Sequence, residues 1–211
     1  MKPIVKQISK EEASSLLNPY HYLTKESRGF RSGDNYGAFI NDRLLAVCIF
    51  TCPSVPELVK GCFGLERKEQ EGIFELGRLV KHPDAPIILS QFVATSIKQL
   101  REKTIEQPDG SFIKNNVRAI LSYADSRYHT GYIYQSLNFK YYGLTKQKTD
   151  FWFEQEDGSY IKHIRGKVKG IKGEWRPRPR KHRYLTVYDK NLECKWVEEA
   201  YPKGNNIEYQ G

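Results

Sequence analysis

A serine, a carboxylate, an imidazole and a phenol follow one another in a short stretch of the chain, at Ser122, Asp125, His129 and Tyr134. Carboxylates, imidazoles and phenols exchange protons with a reacting group held against them, and a serine hydroxyl hydrogen-bonds a bound ligand. The stretch from Ser122 to Gly143 is therefore the first place to expect chemistry. The structural alternative is that Asp125 caps the next helix and Tyr134 belongs to the core.

Groups of the same kinds occur elsewhere in the chain. His21 and Tyr22 supply a second imidazole and a second phenol, and Glu75 and Arg78 supply a pair of opposite charges. Imidazole and carboxylate ligands suit iron or zinc, so His21 and Asp125 are candidate metal ligands. The alternative is that His21 is a surface loop residue and that Glu75 and Arg78 form an ordinary ion pair.

The elements that must position these groups follow from hydrophobic periodicity. Residues 116–123, NVRAILSY, form the most strand-like run, and its carboxyl end is where ligands bind in open α/β sheets. Residues 74–81 alternate like a half-buried strand, and residues 87–103 have apolar side chains at helical spacing. The complete predicted order is strand 1–8, helix 9–17, hairpin strands 36–41 and 44–51, strand 74–81, helix 87–103, strand 116–123, helix 131–137, and strands 139–144 and 149–153.

This order is that of an N-acetyltransferase-like α/β fold, in which helices flank a mixed sheet. In that fold the sheet opens between its fourth and fifth strands, here 74–81 and 116–123, to admit a thioester cofactor. A chain of 211 residues is long enough for one core plus an appendage. We therefore predict a catalytic domain over residues 1–155 and a basic C-terminal extension over residues 156–211.

Positive charge is concentrated in the predicted extension. Residues 162–183 hold ten Lys or Arg side chains and one acid, Glu174, which alone accounts for the chain's net charge of +9. Cations interleaved with Trp175 and Tyr184 suit phosphate neutralisation and base stacking, and two prolines favour an extended arm. We predict double-stranded DNA as the partner; a solvated tail and a membrane-surface segment are the alternatives. The predicted nucleic-acid-binding residues are Lys167, Lys169, Lys172, Arg176, Arg178, Arg180, Lys181 and Arg183.

Hydropathy and cysteine usage exclude other classes of protein. The chain contains no apolar run near the roughly 20 residues that span a bilayer, and its first residues lack the apolar core of a signal peptide. We therefore expect a cytoplasmic protein with no membrane partner. The four cysteines fit neither paired zinc-ligand spacing nor a dense disulfide framework, so they are interpreted as buried or surface thiols.

Five segments together resemble the phage Mom family of DNA-modification proteins. They are HY at 21–22, ELGRL at 75–79, SYAD at 122–125, HTGYIYQSLNFKYYG at 129–143 and PRKHRYL at 179–185. The resemblance implies an enzyme that modifies the exocyclic N6 of adenine and leaves a carbamoylmethyl group, which blocks host restriction enzymes. The family's motif residues fall at His21, Tyr22, Arg78, Ser122, Asp125, His129 and Tyr134. Ser126 and Tyr128 stand where the family usually has a proline and a glycine.

The resemblance also implies which residues handle protons. The lone pair of adenine N6 is delocalised into the ring, so a base must remove a proton as the new bond forms. Asp125 is the first candidate for this base. His21 either shares the proton transfer or joins Asp125 or His129 as a metal ligand.

The group donor is expected at Ser122 and Tyr134, with Arg78 holding a donor carboxylate or orienting the base. A target base inside duplex DNA must leave the stack, which Tyr22 would assist. Ordinary acetyltransferases cradle the coenzyme A pyrophosphate in a glycine-rich turn before the long helix, whereas residues 83–88, PDAPII, contain two prolines and no glycine. A coenzyme A thioester, an amino-acid-derived donor and a metal ion such as iron remain alternatives. The competing functions are a conventional acetyl-CoA-dependent N-acetyltransferase and a non-catalytic DNA-binding protein.

Overall fold

The computed structural model describes residues 2–21, 30–163 and 166–204. Its strands are β1 (Ile4–Gln7), β2 (Asp34–Ile40), β3 (Arg43–Thr51), β4 (Ile73–Lys81), β5 (Thr104–Glu106), β6 (Phe112–Lys114), β7 (Ala119–Asp125), β8 (Lys140–Leu144), β9 (Lys148–Glu154), β10 (Tyr160–Lys162), β11 (Gly173–Arg178) and β12 (Lys181–Val187). Its helices are α1 (Lys10–Tyr20), α2 (Pro56–Phe63), α3 (Leu89–Glu102) and α4 (Tyr132–Ser136). A seven-stranded mixed sheet, in the order β1-β2-β3-β4-β7-β12-β8, confirms the predicted fold class.

Helices cover both faces of the main sheet because its strands bury apolar side chains on alternate sides. On β3, Ala46, Cys48 and Phe50 pack in a cluster with the apolar face of α3 and with α4. Val47 and Ile49 point the other way and pack against α1. Helix α2 covers the second face farther along, over β7 and β12.

The first helix shows how local sequence sets an element's ends. Ser9 accepts a hydrogen bond from the Glu12 amide at 3.1 Å, and the Glu12 carboxylate accepts one from the Ser9 amide at 2.8 Å. This capping box starts α1 where the sequence predicts. The helix continues past its predicted end at Leu17 and includes Pro19 in its last turn. None of the helices in the described ranges is long and apolar enough to cross a membrane.

The main sheet opens between β4 and β7, as predicted. These strands pair in parallel only from Ile73 opposite Ala119 to Leu76 opposite Ser122, although both strands continue beyond that point. Gly77 has no partner on β3, since Ile49 pairs with Arg78 and Phe50 with Leu76. Such a bulge bends and twists a strand, which turns the end of β4 away from β7. We call the resulting gap the β4–β7 fork.

The structure corrects the predicted closing pair of strands at 139–144 and 149–153. Strand β8 pairs with β12, and β9 pairs instead with β10 and β11 in a separate three-stranded sheet. Local sequence could not predict this pairing, because the residues of β12 that pair with β8 lie about forty positions farther along the chain.

Residues 181–187, which the sequence analysis placed in the C-terminal extension, belong to the main sheet. Strand β12 lies inside the main sheet, between β7 and β8, and is antiparallel to both. Pro177 lies in β11, which is an edge strand of the three-stranded sheet, where a proline costs no ladder hydrogen bond. The prolines therefore do not produce an extended arm.

Candidate functional site

The Ser122 side chain lies at the point where the fork opens. Ser122 is fully buried, and its hydroxyl donates a 3.0 Å hydrogen bond to the Leu76 carbonyl across the last residue pair between β4 and β7. The Tyr134 ring packs nearby, on Phe139 and Tyr184. Burial raises the pKa of the Tyr134 phenol, and a hydrogen bond with Ser122 opposes that rise. The two residues predicted to hold the donor are therefore neighbours, and the phenol is a proton donor at neutral pH.

Gly131 sets the position of Tyr134 because it begins the short helix α4. Its φ is +85°, in the left-handed region, and the Tyr134 amide donates to its carbonyl at 2.9 Å. A β-carbon at this position would lie 2.4 Å from the ring of Tyr184, which is fully buried. The Tyr184 hydroxyl in turn donates to the Thr130 carbonyl and accepts from Gln135. The HTG segment therefore requires a glycine on both conformational and steric grounds.

The Asp125 carboxylate is buried and held by Arg127. One oxygen accepts from the Arg127 amide at 3.0 Å and from its Nε at 3.2 Å, and the other accepts from Nη2 at 3.0 Å. The Asp125 carbonyl also accepts from the Tyr128 and His129 amides. Asp125 therefore shapes the turn after β7, and both of its carboxylate oxygens accept hydrogen bonds from Arg127.

His21 and Arg78 meet at the fork from different elements. His21 ends α1 and is 5% exposed, and Arg78 lies on β4 just beyond the Gly77 bulge. Burial lowers the pKa of His21 to about 3, and the charges of Arg78 and His129 add to the effect. Burial also lowers the pKa of His129, although Asp125 opposes that shift. Both imidazoles are therefore neutral at physiological pH, which is the form that accepts protons.

The buried His21 should make stability pH-dependent. Its pKa of about 3 lies below the roughly 6.5 of an unfolded histidine, so the unfolded state binds the proton first. The stabilisation is complete above about pH 6.5 and is lost as the pH falls toward 3. Between pH 7 and 4, we expect wild type to lose about 3 kcal/mol more unfolding free energy than His21→Gln. Parallel pH profiles in urea denaturation would contradict this expectation.

Two charged residues that the sequence analysis did not assign to the active site also lie at the fork. We call the polar side chains there the polar cluster: His21, Glu75, Arg78, Asp125, His129 and Lys181. Glu75 lies on β4, two residues before the bulge, and burial raises its pKa against the opposing effects of the Ser54 amide and of Lys181. Lys181, predicted to bind DNA, is half-buried opposite Asp125 on β12, and burial lowers its pKa although Asp125 and Glu75 oppose the shift. The alternation in KHRYLTV could have indicated this strand.

Not every predicted role is supported by the arrangement. Tyr22 lies outside the described residues. Within the ranges that the structure describes, no three His, Cys, Asp or Glu side chains are grouped so that they could hold a metal ion. The predicted ligands His21 and Asp125 are therefore not completed by a third, and Arg127 already occupies the Asp125 oxygens.

The turn before α3 supplies no free amide for a coenzyme A pyrophosphate. Pro83 and Pro86 have no N–H, and the amides of Asp84 and Ala85 already donate to the side chain and the carbonyl of His82. The Asp84 side chain is 92% exposed at this turn, where it would repel a phosphate. The helix itself begins at Leu89, and its N-cap residue Ile88 makes no side-chain capping hydrogen bond.

Part of the basic segment lies in the three-stranded sheet, which we call the basic sheet, and acids neutralise part of its charge. Asp150 on β9 pairs with both Arg178 and Lys162, and the Arg178 contact is bidentate. Further pairs join Lys172 to Glu154 and Arg176 to Glu174. Of the residues predicted to bind nucleic acid, those that are exposed and have no ion pair within the described ranges are Lys167, Lys169 and Arg180.

One face of this small sheet is aromatic and joins the fork. Trp175 is 59% exposed and packs edge-on against Phe151, its register partner on β9. Arg180, two residues past β11, has a carbonyl that accepts hydrogen bonds from the Ser126 amide and hydroxyl, at 3.1 and 2.8 Å. The turn after Asp125 is thereby tied to the basic segment where it passes from β11 to β12.

Solved structures with this fold include acetyltransferases. A variant of an agmatine N-acetyltransferase in its apo form has a TM-score of 0.50 and 11% identity, covering 88% of this chain and 100% of its own. An acetyltransferase of Bacillus subtilis in complex with CoA has a TM-score of 0.49 and 12% identity, covering 89% and 99%. The likeness to the agmatine N-acetyltransferase shows the N-acetyltransferase-like fold. No curated protein sequence matches the chain.

The family comparison covers nearly the whole chain. The model of the Mom protein family matches residues 2–203, which include the fork, the turn after β7, the basic sheet and β12. The segments that carry the resemblance, from HY at 21–22 to PRKHRYL at 179–185, all fall within this match. The chain belongs to the Mom protein family.

Proposed function

We propose that this protein is a DNA-modification enzyme that transfers a carbamoylmethyl-type group to adenine N6 and so protects phage DNA from restriction. The observation that carries the proposal is the polar cluster at the β4–β7 fork, which the contact of Ser126 with Arg180 joins to the basic segment between β11 and β12. Membership of the Mom protein family supports the same reading. Double-stranded DNA would lie on the basic sheet with its target base turned into the fork.

The reaction requires a base, because N6 must lose a proton as its bond to the donor's methylene carbon forms. Glu75 suits this role through its raised pKa, since a carboxylate of raised pKa is a stronger base near neutrality. The Asp125 carboxylate accepts hydrogen bonds from Arg127. Its role is therefore to hold the turn after β7 and to balance the positive charge of Lys181. We therefore assign proton acceptance to Glu75 and positioning to Asp125.

The donor would occupy the fork, beside Ser122 and Tyr134. A protonated phenol can donate a hydrogen bond to a carbonyl or to a leaving group, and burial keeps Tyr134 protonated. Arg78, on the bulged end of β4, supplies a positive charge for a donor carboxylate. The turn at residues 83–86 supplies no free amide for a pyrophosphate, which supports a donor that carries none.

The exposed cations should give DNA binding its salt dependence. Replacing Lys167, Lys169 and Arg180 with Gln would remove up to three phosphate contacts, and each contact contributes about 0.9 to the slope of log affinity against log salt. We expect the slope to fall by about 2 to 3 in fluorescence anisotropy titrations with duplex DNA. These side chains were chosen because the structure records no ion pair for them in its described ranges.

The matched control replaces two exposed lysines elsewhere, Lys10 and Lys68, with Gln. The control should keep the wild-type slope within about 0.5, because these lysines lie away from the basic sheet. Equal slopes for the two sets of substitutions would contradict this interface. Deleting residues 162–183 is not a usable test, because it would remove β11 from the three-stranded sheet and the first part of β12 from the main sheet.

The function is tested by restriction digestion. Plasmid DNA from cells that express the protein should resist restriction endonucleases whose sites contain adenine, and it should remain sensitive to those whose sites contain only guanine and cytosine. DNA from cells with the empty vector should be cut by both. Full digestion by both classes, with soluble protein verified in the same cells, would contradict the proposed function.

A further inference from the structure

Two cysteines from distant parts of the sequence lie side by side. Cys62 belongs to α2, and Cys194 lies in the segment after β12, yet their sulfur atoms are 3.6 Å apart. The Lys195 amide donates to the Cys62 carbonyl at 2.7 Å, so the two backbones are also held together. A disulfide has a sulfur–sulfur bond of about 2.05 Å, which a small rearrangement of the side chains would reach.

The two sulfur atoms have different environments. Cys62 is fully buried, whereas Cys194 is half-buried. Hydrogen bonding with Cys62 lowers the pKa of Cys194, burial opposes this, and the Trp196 amide, the Tyr142 hydroxyl and the charge of Arg183 lower it further. The hydrogen bond with Cys194, burial and the charge of Cys194 all raise the pKa of Cys62. Cys194 is thus the thiolate of the pair and Cys62 the thiol.

Cys194 is accessible to a small molecule. It lines a surface cavity of about 370 Å³, together with Phe63, Leu65, Arg118 and Lys195. The charges of this lining largely balance, because Glu193 also belongs to it and Arg118 is paired with Asp189. The cavity is large enough for a small thiol compound.

We propose that Cys62 and Cys194 form a dithiol site that small disulfides oxidise, with Cys194 as the attacking thiol and Cys62 as the resolving thiol. The Cys194 thiolate attacks one sulfur of the small disulfide; a mixed disulfide forms and one small thiolate leaves. Cys62 then loses its proton to solvent and attacks the Cys194 sulfur, which releases the second small thiolate. The protein loses two electrons and two hydrogens, and the small disulfide gains both as two thiols.

The probe is oxidised glutathione at pH 7, with the product read by intact mass and by peptide mapping. Wild type should lose two hydrogens and yield a peptide that joins Cys62 to Cys194. Cys62→Ser should stop at a stable glutathione adduct on Cys194, because the resolving thiol is absent. Cys194→Ser should give neither product at Cys62. The matched control is Cys52→Ser, which removes an exposed thiol outside the pair and should react like wild type.

A rate measurement on the wild-type protein keeps the proposal testable even if a serine at the buried Cys62 prevents folding. Cys194 should form its adduct at least about tenfold faster than the exposed Cys52 at pH 7, since the thiolate is the reacting form. Faster reaction at Cys52, or an adduct on Cys194 that persists in folded wild type without forming the disulfide, would overturn the proposal. This test does not depend on DNA modification.

Discussion

Gly131→Ala should lower the free energy of unfolding by about 2 to 5 kcal/mol. A residue with a β-carbon pays roughly 1 to 2 kcal/mol to adopt left-handed backbone angles, and forcing an atom into a packed core adds about 1 to 3 kcal/mol. Here that atom would lie 2.4 Å from the fully buried Tyr184 ring on β12. Urea denaturation followed by circular dichroism measures the change.

The matched control for this substitution is Gly110→Ala. Gly110 has nearly the same φ, +80°, but a β-carbon there would have no atom within 4 Å. Gly110→Ala should therefore lower the free energy of unfolding only by the cost of the left-handed backbone angles, about 1 to 2 kcal/mol. If the two substitutions lower stability equally, the contact between Gly131 and Tyr184 does not hold the start of α4, and the assigned position of Tyr134 loses its support.

Glu75→Gln should lower the rate of adenine modification by about 100-fold or more, because an amide cannot accept the proton from N6. The variant should fold and bind DNA like wild type, since Gln keeps the size of the side chain. Asp125→Asn should also lower the rate, but together with stability, because the new amide nitrogen cannot accept a hydrogen bond from Arg127. Single-turnover assays and denaturation curves on the same preparations separate the two roles.

The control for the two carboxylates is Glu71→Gln, an exposed acid close to β4 in sequence. It should leave the rate unchanged. Wild-type activity in Glu75→Gln, with loss of activity but full stability in Asp125→Asn, would reverse the assignment and make Asp125 the proton acceptor. Wild-type activity in both would remove the fork from the mechanism.

Local patterns in the sequence predicted the elements that stand next to their partners in the chain. The hairpin of β2 and β3, the long helix α3 and the strand carrying Ser122 and Asp125 all follow from periodicity and turn residues. The order of the predicted elements, which is that of an N-acetyltransferase-like fold, predicted the fork, and the structure explains its opening through the unpaired Gly77. These predictions needed no contact between distant segments.

The sequence did not predict the strand pairings that join distant parts of the chain. The ten cations at 162–183 made a core strand look like an exposed segment. Lys181 and Arg183 carry charges, but Tyr184 and Leu185 beside them are buried on opposite faces of the sheet. For the same reason Lys181 was assigned to DNA and Glu75 was left outside the site. Ion pairs between β9 and β11 were likewise invisible, since they depend on a strand pairing that no local signal specifies.

The central claim is that the cluster at the β4–β7 fork modifies adenine, and nucleoside mass spectrometry tests it most directly. DNA from cells expressing the wild-type protein should contain a deoxyadenosine heavier by one carbamoylmethyl substitution, and DNA from cells expressing Glu75→Gln at the same level should lack it. A nucleoside profile identical to that of cells without the protein, although the wild-type protein is soluble and folded, would contradict the account.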